Sequence, residues 1–290
     1  MKIGLSLPTM LGGVDRDVVL GWCRRLEADR YDTIGFGERI AYRNLEIFSV
    51  LAAAAAVTSD IGIMSTVVIL PMHSEVWVAK QSATLDVLSG GRYTLGVGVG
   101  GRSEDYDALG RDFGRRHQRL DDQVQRMQQI WAGEAPGEGL DPVGPPLARH
   151  LPILSGALGP KSIARSAQWA DGIAGFEMDP SSETVAGAAD RVTQAWHDAG
   201  RSVAPYLMTS FWFALGDDAA RRLHEYASRY LGVFGDEVAE ALAGTCTAAG
   251  PDAVRSAIDG ARAAGFDEIQ LVPTTASLVE LDRLGELLGR

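Results

Sequence analysis

Short apolar segments alternate with longer amphipathic segments along the chain. The short segments are rich in β-branched and aromatic residues, which is typical of buried strands, and the longer ones show helical spacing of apolar residues. This pattern predicts strands at about 2–7, 33–36, 62–68, 93–97, 153–154, 172–174, 206–213 and 268–272. Alternating strands and helices predict an α/β protein with a parallel sheet, and eight such units close into a (β/α)8 TIM barrel.

Capping residues mark where the intervening helices begin. Ser, Asp, Asn and Gly are favoured at the position before a helix, and Pro is favoured at its first position. Helices are therefore expected to start just after Asn44, Ser74, Asp179, Asp217 and Gly250.

One segment rich in Gly and Pro, at about 133–150, interrupts the alternation. It is interpreted as a surface excursion before the fifth strand and not as a linker between domains. Residues 1–290 are then expected to form a single domain, since closed α/β barrels of roughly 250 residues fold as one unit.

Charge and composition narrow the function classes. The net charge of -11 argues against nucleic acid as a partner, because phosphate backbones are held by clustered Lys and Arg. No N-terminal export signal and no apolar run of membrane-spanning length is visible, so no membrane association and a cytoplasmic location are expected. The two cysteines indicate buried thiols and not a disulfide framework, and no His, Cys or carboxylate cluster has metal-ligand spacing.

Four glycines stand within the six residues 96–101. Such density indicates a backbone that something flat or charged approaches closely. Gly96, Gly98 and Gly101 match the G-x-G-x-x-G dinucleotide fingerprint, but that motif needs a helix at its third glycine. Residues 102–110 are interpreted as a polar loop, with the next helix near Gly114, so the segment predicts a barrel strand whose C-terminal end faces a ligand.

In TIM barrels the active site lies at the C-terminal ends of the strands. The residues that follow the predicted strands combine glycines, apolar side chains and a few charges, which is typical of a site for a bulky planar cofactor. Among the tryptophans, Trp212 is the plausible wall of such a pocket.

Motifs across the chain point to one family. The segment 85–100 reads L-D-x-L-S-x-G-R-x-x-L-G-V-G-x-G, and further matches are the segments 3–8, 70–71, 107–110, 130–133, 152–156, 169–172 and 267–273. In order and spacing they resemble the bacterial luciferase-like family of flavin and deazaflavin oxidoreductases.

The resemblance implies hydride transfer between the deazaflavin coenzyme F420 and a small organic substrate. The F420 branch is favoured because the Arg-rich and Ala-rich composition looks actinobacterial and the chain is shorter than most monooxygenases of the family. An FMN-dependent monooxygenase is the alternative, and a non-catalytic flavin-binding protein is a second one. A homodimer also remains open.

The resemblance further implies where the cofactor ring lies. Family members carry a non-proline cis peptide on the third strand, behind the ring, and alignment on Pro71 places it between Val67 and Val68. The ring is therefore expected to contact the following residues: Thr66, Val67, Val68, Gly98, Val99 and Gly100.

The segment 155–162 predicts an anion site. A strand ends, glycines free the backbone, and Pro160 stands at the first position of a helix, so unpaired N–H groups and the positive helix end face outward. Family members hold the cofactor phosphate in this loop, and the candidate contacts are Ser155, Gly156, Ala157, Gly159, Pro160 and Lys161. The alternative is a tight turn that leaves Lys161 in solvent.

Two residues are candidates for proton transfer. Glu38 follows the second strand, where the family often places Asp, Glu or His near the ring, and it could donate or accept a proton. Its alternative role is an ion pair with Arg39 or Arg43. His73, after Pro71, could approach the substrate or could be a surface residue that flanks a helix cap.

Overall fold

The strands form one closed parallel barrel. The computed structural model describes residues 1–290. Its strands are β1 (Lys2–Ser6), β2 (Thr33–Phe36), β3 (Gly62–Ser65), β4 (Val68–Ile69), β5 (Tyr93–Gly98), β6 (Ile153–Ser155), β7 (Gly172–Ala174), β8 (Tyr206–Phe213) and β9 (Glu268–Pro273). The order is β3-β2-β1-β9-β8-β7-β6-β5-β4, and β3 also pairs with β5. Because β3 and β4 are two parts of one barrel strand, the barrel has eight strands, which confirms the predicted (β/α)8 fold.

Helices cover the outside of the barrel. They are α1 (Arg16–Ala28), α2 (Ile47–Val57), α3 (Glu75–Leu88), α4 (Ser103–Ala108), α5 (Arg116–Trp131), α6 (Pro160–Ser166), α7 (Ser182–Asp198), α8 (Ala219–Leu231), α9 (Asp236–Ala243), α10 (Pro251–Ala263) and α11 (Val279–Leu288). Two short 3-10 turns are Leu70–Met72 and Gly232–Phe234. None of the helices combines the length and apolarity needed to cross a bilayer.

The predicted caps are correct at two of these helices and wrong at three. Ser74 and Gly250 directly precede α3 and α10. The observed caps of α2, α7 and α8 are Glu46, Ser181 and Asp218, not Asn44, Asp179 and Asp217. At α2 the carboxylate of Glu46 accepts hydrogen bonds from the N–H groups of the first turn, so it replaces the shorter Asn side chain.

The expectation of a loop at 102–110 is wrong, because residues Ser103–Ala108 form α4. The helix carries one large apolar residue, Tyr106, so it lacks a periodic pattern. Contacts with the rest of the barrel stabilise it instead: Tyr106 is fully buried, and the Asp105 carboxylate accepts hydrogen bonds from the N–H groups of Ile40 and Ala41.

Alternate strand positions face outward and inward. Ile34, Ile63 and Leu95 pack outward in the main core with helix residues such as Trp22. Inward positions carry a separate buried cluster of Met64, Leu154, Ala174 and Met208. Small residues at further inward positions, such as Ser6, Gly98 and Ser210, leave space towards the C-terminal ends of the strands.

The third barrel strand contains one extra residue. Four steps along it, from Met64 to Val68, lie opposite three steps of β5, from Thr94 to Val97. This count defines a β-bulge at Thr66 and Val67, which we call the Thr66–Val67 bulge. Its non-proline cis peptide joins Thr66 to Val67, so the expected position between Val67 and Val68 is wrong by one residue. The second cis peptide of the chain joins Gly144 to Pro145.

A side chain replaces the strand contacts that the bulge removes. The Ser65 hydroxyl accepts a hydrogen bond from the Gly96 N–H at 2.8 Å and donates one to the Gly96 carbonyl at 2.9 Å. The Tyr93 hydroxyl donates a further hydrogen bond to it, at 3.2 Å. Ser65 is fully buried, so it satisfies polar groups that water does not reach.

The glycines of β5 accommodate the neighbouring strand. A Cβ on Gly96 would lie 2.1 Å from the Ser65 carbonyl oxygen, and one on Gly98 would lie 2.7 Å from Val67 Cγ2. On the other side of Val67, directly after β6, a Cβ on Gly156 would lie 3.3 Å from both Val67 methyl groups. The glycine density indicated a close approach at this point, and at Gly96 and Gly98 the protein's own third strand makes one; Gly98 also lines the cavity described below.

We expect Ser65→Ala to lower the free energy of unfolding by about 2–4 kcal/mol, because it leaves the buried N–H and carbonyl groups of Gly96 without partners. Urea denaturation followed by circular dichroism measures the change.

Thr209→Val is the matched control. The Thr209 hydroxyl is buried and has no hydrogen-bond partner, so its removal should leave stability unchanged or raise it. Equal stability of the Ser65→Ala and Thr209→Val proteins would contradict the role assigned to Ser65.

Candidate active site

A cavity of about 550 Å³ opens at the C-terminal ends of the strands. Its volume is within the range of small-molecule and cofactor sites, roughly 300–1,000 Å³. Residues from every barrel strand or the segment after it line the cavity, as expected for the active-site end of a TIM barrel.

Most of the predicted cofactor contacts line this cavity. The lining includes Thr66, Val67, Gly98, Val99, Gly100, Ser155, Gly156, Ala157 and Gly159. Three predicted contacts lie outside it: Val68 is fully buried in the core, whereas Pro160 and Lys161 are exposed on the first turn of α6. Lys161 therefore has the solvent-facing position of the alternative interpretation.

The anion loop has the predicted backbone arrangement. α6 begins at Pro160 with Gly159 as its cap, and the Ser162 hydroxyl donates to the Gly159 carbonyl at 2.8 Å. The N–H groups of the first helical turn lack intrahelical acceptors. Two further side chains line this end of the cavity: Arg165, in the last turn of α6, which donates a 2.8 Å hydrogen bond from Nε to Asp121, and His117 on α5.

His117 was not among the predicted site residues. Burial lowers the pKa of its imidazole, and the neighbouring charges of Arg116 and Arg165 lower it further. The ring is therefore neutral at neutral pH. Its position as the second residue of α5 carries no distinctive sequence signal.

Glu38 and His73 contact each other. His73 Nε2 lies 3.0 Å from each carboxylate oxygen of Glu38, and the Ile69 N–H donates to Glu38 Oε2 at 2.7 Å. The Glu38 side chain is 4% exposed and lines the cavity, whereas His73 is 22% exposed and does not line it. The imidazole of His73 thus contacts the Glu38 carboxylate from the side away from the cavity.

The alternative role of Glu38, an ion pair with Arg39 or Arg43, is not observed. Arg39 Nε instead donates to Asp105 at 2.6 Å, and both side chains are buried. Asp105 and Asp121 also line the cavity, and both are paired with an arginine. Glu38 is the cavity carboxylate whose ionic partner is a histidine.

The side of the cavity next to β8 is aromatic. Trp212, predicted as a pocket wall, lines it together with Phe176, Tyr226, Tyr230 and Phe234. Phe176 follows the predicted strand 172–174, whereas Tyr226, Tyr230 and Phe234 were not predicted. The five residues come from β8, from the residues after β7 and from the segment 226–234, so only the folded barrel brings them together.

Comparisons with known proteins agree on one family. A family model described as luciferase-like monooxygenase matches residues 1–271. The pyrimidine monooxygenase RutA of Escherichia coli is 30% identical over an alignment of 207 residues, which covers 66% of this chain and 57% of RutA. The chain therefore spans little more than half the length of this relative.

Solved structures share the fold. An F420-dependent secondary alcohol dehydrogenase, in complex with an F420-acetone adduct, has a TM-score of 0.83 at 16% identity, covering 99% of this chain and 97% of that one. The monooxygenase RslO1 of Streptomyces bottropensis has a TM-score of 0.78 at 21% identity, covering 99% and 98% of the two chains. The family model covers nearly the whole barrel, and the chain belongs to the luciferase-like monooxygenase family, whose members are oxidoreductases.

Proposed function

We propose that this protein is an F420-dependent oxidoreductase that acts on a small organic substrate. When bound, a deazaflavin supplies or takes up a hydride, which is two electrons and one hydrogen nucleus. The observation that carries the proposal is the composition of the cavity: an apolar bulge at Val67, an anion loop and a histidine-paired carboxylate face one space. The TM-score of 0.83 with an F420-dependent dehydrogenase supports this choice of cofactor.

The residues of the cavity fit such a cofactor. Thr66 and Val67 offer an apolar surface to a flat ring, with Val68 behind them in the core, and Gly98, Val99 and Gly100 border the same space. A phosphate would be bound by the unpaired N–H groups near Gly159, where Ser155, Gly156 and Ala157 complete the loop.

Glu38 is proposed to exchange the proton that accompanies hydride transfer. A carbonyl oxygen that becomes a hydroxyl gains one proton, and the reverse reaction releases one. Glu38 reaches the cavity directly, and the Ile69 N–H together with His73 fixes its orientation. His73 is then a positioning residue that links the carboxylate to the outer surface.

An FMN-dependent monooxygenase is the second candidate. The monooxygenases RutA and RslO1 favour it, since one is 30% identical to the chain and the other has a TM-score of 0.78. The anion loop would serve the phosphate of either cofactor.

Cofactor titration separates the two candidates. We expect F420 to bind with a dissociation constant in the micromolar range or below, and FMN to bind at least about tenfold more weakly, because a preformed slot suits one ring system. Fluorescence quenching of each cofactor by purified protein measures both constants. Equal affinity, or a preference for FMN, would overturn the F420 assignment and leave the family assignment intact.

We expect Gly159→Val to weaken cofactor binding about tenfold to 100-fold, the scale of lost hydrogen bonds to a charged group. Gly159 has φ -93°, which any residue can adopt, and its Cβ would come no nearer than 3.8 Å to Ser162 Oγ. The variant should therefore fold normally while the added methyl groups crowd the anion site. The same titration measures the loss.

Lys161→Ala is the control for this loop, since Lys161 is exposed outside the cavity. It should bind the cofactor like the parent protein. A larger loss in Lys161→Ala than in Gly159→Val would show that the lysine, and not the backbone, holds the phosphate.

We expect Glu38→Gln to lower turnover about 10²-fold to 10⁴-fold, because the amide keeps an acceptor for Ile69 but cannot exchange a proton. The assay mixes the protein with reduced F420 and a panel of small aldehydes and ketones. Turnover is measured by the return of F420 fluorescence as the cofactor is oxidised. The limb of the pH-rate profile that depends on Glu38 should disappear, and cofactor affinity should change little.

Glu286→Gln, at an exposed position of α11, should keep full turnover. Full turnover and an unchanged pH profile in Glu38→Gln would remove Glu38 from the chemistry.

A further inference from the structure

Five aromatic residues form one side of the cavity, which we call the aromatic wall: Phe176, Trp212, Tyr226, Tyr230 and Phe234. Trp212 is at its centre. The ring centroids of Phe176, Tyr230 and Tyr226 lie 4.7, 5.2 and 5.6 Å from that of Trp212, all in tilted or edge-on orientations. This packing fixes the indole and leaves a large apolar surface beside the cavity.

The polar atoms of this wall lack protein partners. The indole N–H of Trp212 and the hydroxyl groups of Tyr226 and Tyr230 take part in none of the hydrogen bonds of the protein, although Trp212 is 6% and Tyr226 is 4% exposed. The indole groups of Trp22, Trp131 and Trp169 all donate to protein acceptors, whereas that of Trp196 is buried away from the cavity without a partner. Since buried tyrosine and tryptophan usually find a partner, the two buried residues Trp212 and Tyr226, with the half-buried Tyr230 beside them, indicate a ligand that supplies acceptors.

The wall stands across the barrel from the Thr66–Val67 bulge. With β3 and β4 counted as one strand, β8 is four strands away from it in either direction around the eight-stranded barrel. A flat cofactor ring against Val67 would therefore have Trp212 on the opposite wall, and a substrate would lie between the ring and the indole.

The arginine that lines the cavity beside the wall, Arg102, is already paired. Arg102 donates a hydrogen bond to the Tyr230 carbonyl, and its guanidinium lies 4.8 Å from the centroid of the Tyr230 ring. Glu104 is 3.7 Å from the same guanidinium. Burial raises the pKa of Tyr226, so its hydroxyl remains a neutral donor. Arg229, whose guanidinium lies 5.8 Å from the centroid of the Tyr226 ring, forms no ion pair but does not line the cavity. Towards the cavity the wall thus offers donors and ring faces but no unpaired cation for an anionic substrate.

We propose that the aromatic wall binds a neutral, planar aromatic or conjugated substrate whose carbonyl oxygen accepts hydrogen bonds from Tyr226 and its neighbours. The assignment of the opposite side to the cofactor rests on the proposed function, but the binding chemistry of the wall does not. Phe234 forms the outer edge: it is 50% exposed and lies 4.0 Å from the Cβ position of Gly101.

Three related compounds test the proposal. 2-Acetylnaphthalene has the planar body and the acceptor, 2-ethylnaphthalene lacks the acceptor, and cyclohexyl methyl ketone lacks the planar body. We expect the first to bind more tightly than either of the others by about threefold to tenfold, the scale of one neutral hydrogen bond or one aromatic contact. Calorimetric titration of the protein, with and without F420, measures the three affinities.

Two variants locate the binding. Tyr226→Phe should lower the affinity for 2-acetylnaphthalene by about threefold to tenfold, the scale of one neutral hydrogen bond, and should leave the affinity for 2-ethylnaphthalene unchanged. Phe234→Ala, at a half-exposed position that folding tolerates, should weaken both naphthalenes. Neither variant should change the affinity for F420, whereas Gly159→Val should change only that affinity.

The results separate failure of this proposal from failure of the proposed function. If F420 does not bind but the selectivity for 2-acetylnaphthalene is preserved, the assignment of F420 as cofactor is overturned and the proposed role of the aromatic wall is supported. Equal binding of the three compounds, or naphthalene binding that neither variant alters, would overturn the aromatic wall.

Discussion

The position of Val67 inside the barrel mouth is the constraint on which the site depends. Its methyl groups can lie there because Gly98 and Gly156 have no Cβ, and the bulge itself is possible because Ser65 satisfies the Gly96 backbone. The same irregularity places Glu38. After the bulge, the third strand pairs with β5. On the side that faces β2, the N–H of Ile69 donates a hydrogen bond to the carboxylate of Glu38, which follows β2.

Charge pairing divides the cavity into regions. Arg39 with Asp105, and Arg165 with Asp121, cancel two charges of each sign on one side. The Asp105 carboxylate also binds the segment after β2, so α4 and that segment are held together. The interior that remains is apolar and aromatic, and in such surroundings the interaction of Glu38 with a reacting group is less screened by water.

The sequence predicted the strands well because their residues are buried on both faces, as in parallel sheets generally. It also placed Glu38, His73 and the anion loop at the ends of strands. It did not predict that Glu38 and His73 meet, since 34 intervening residues separate them and the contact depends on the path of the third strand. α4 and three members of the aromatic wall, Tyr226, Tyr230 and Phe234, were missed for the same kind of reason: tertiary contacts, and not local periodicity, define them.

The excursion at 133–150 leaves α5 and enters β6, so it lies at the end of the barrel away from the cavity. Arg126 and Arg149 anchor its two ends through carbonyl groups of Ala135 and Tyr93, whereas residues 137–142 are all exposed. A chemical tether placed there would attach the protein to a solid support with the barrel mouth facing the solution. Ligands would then reach an immobilised protein as freely as a dissolved one.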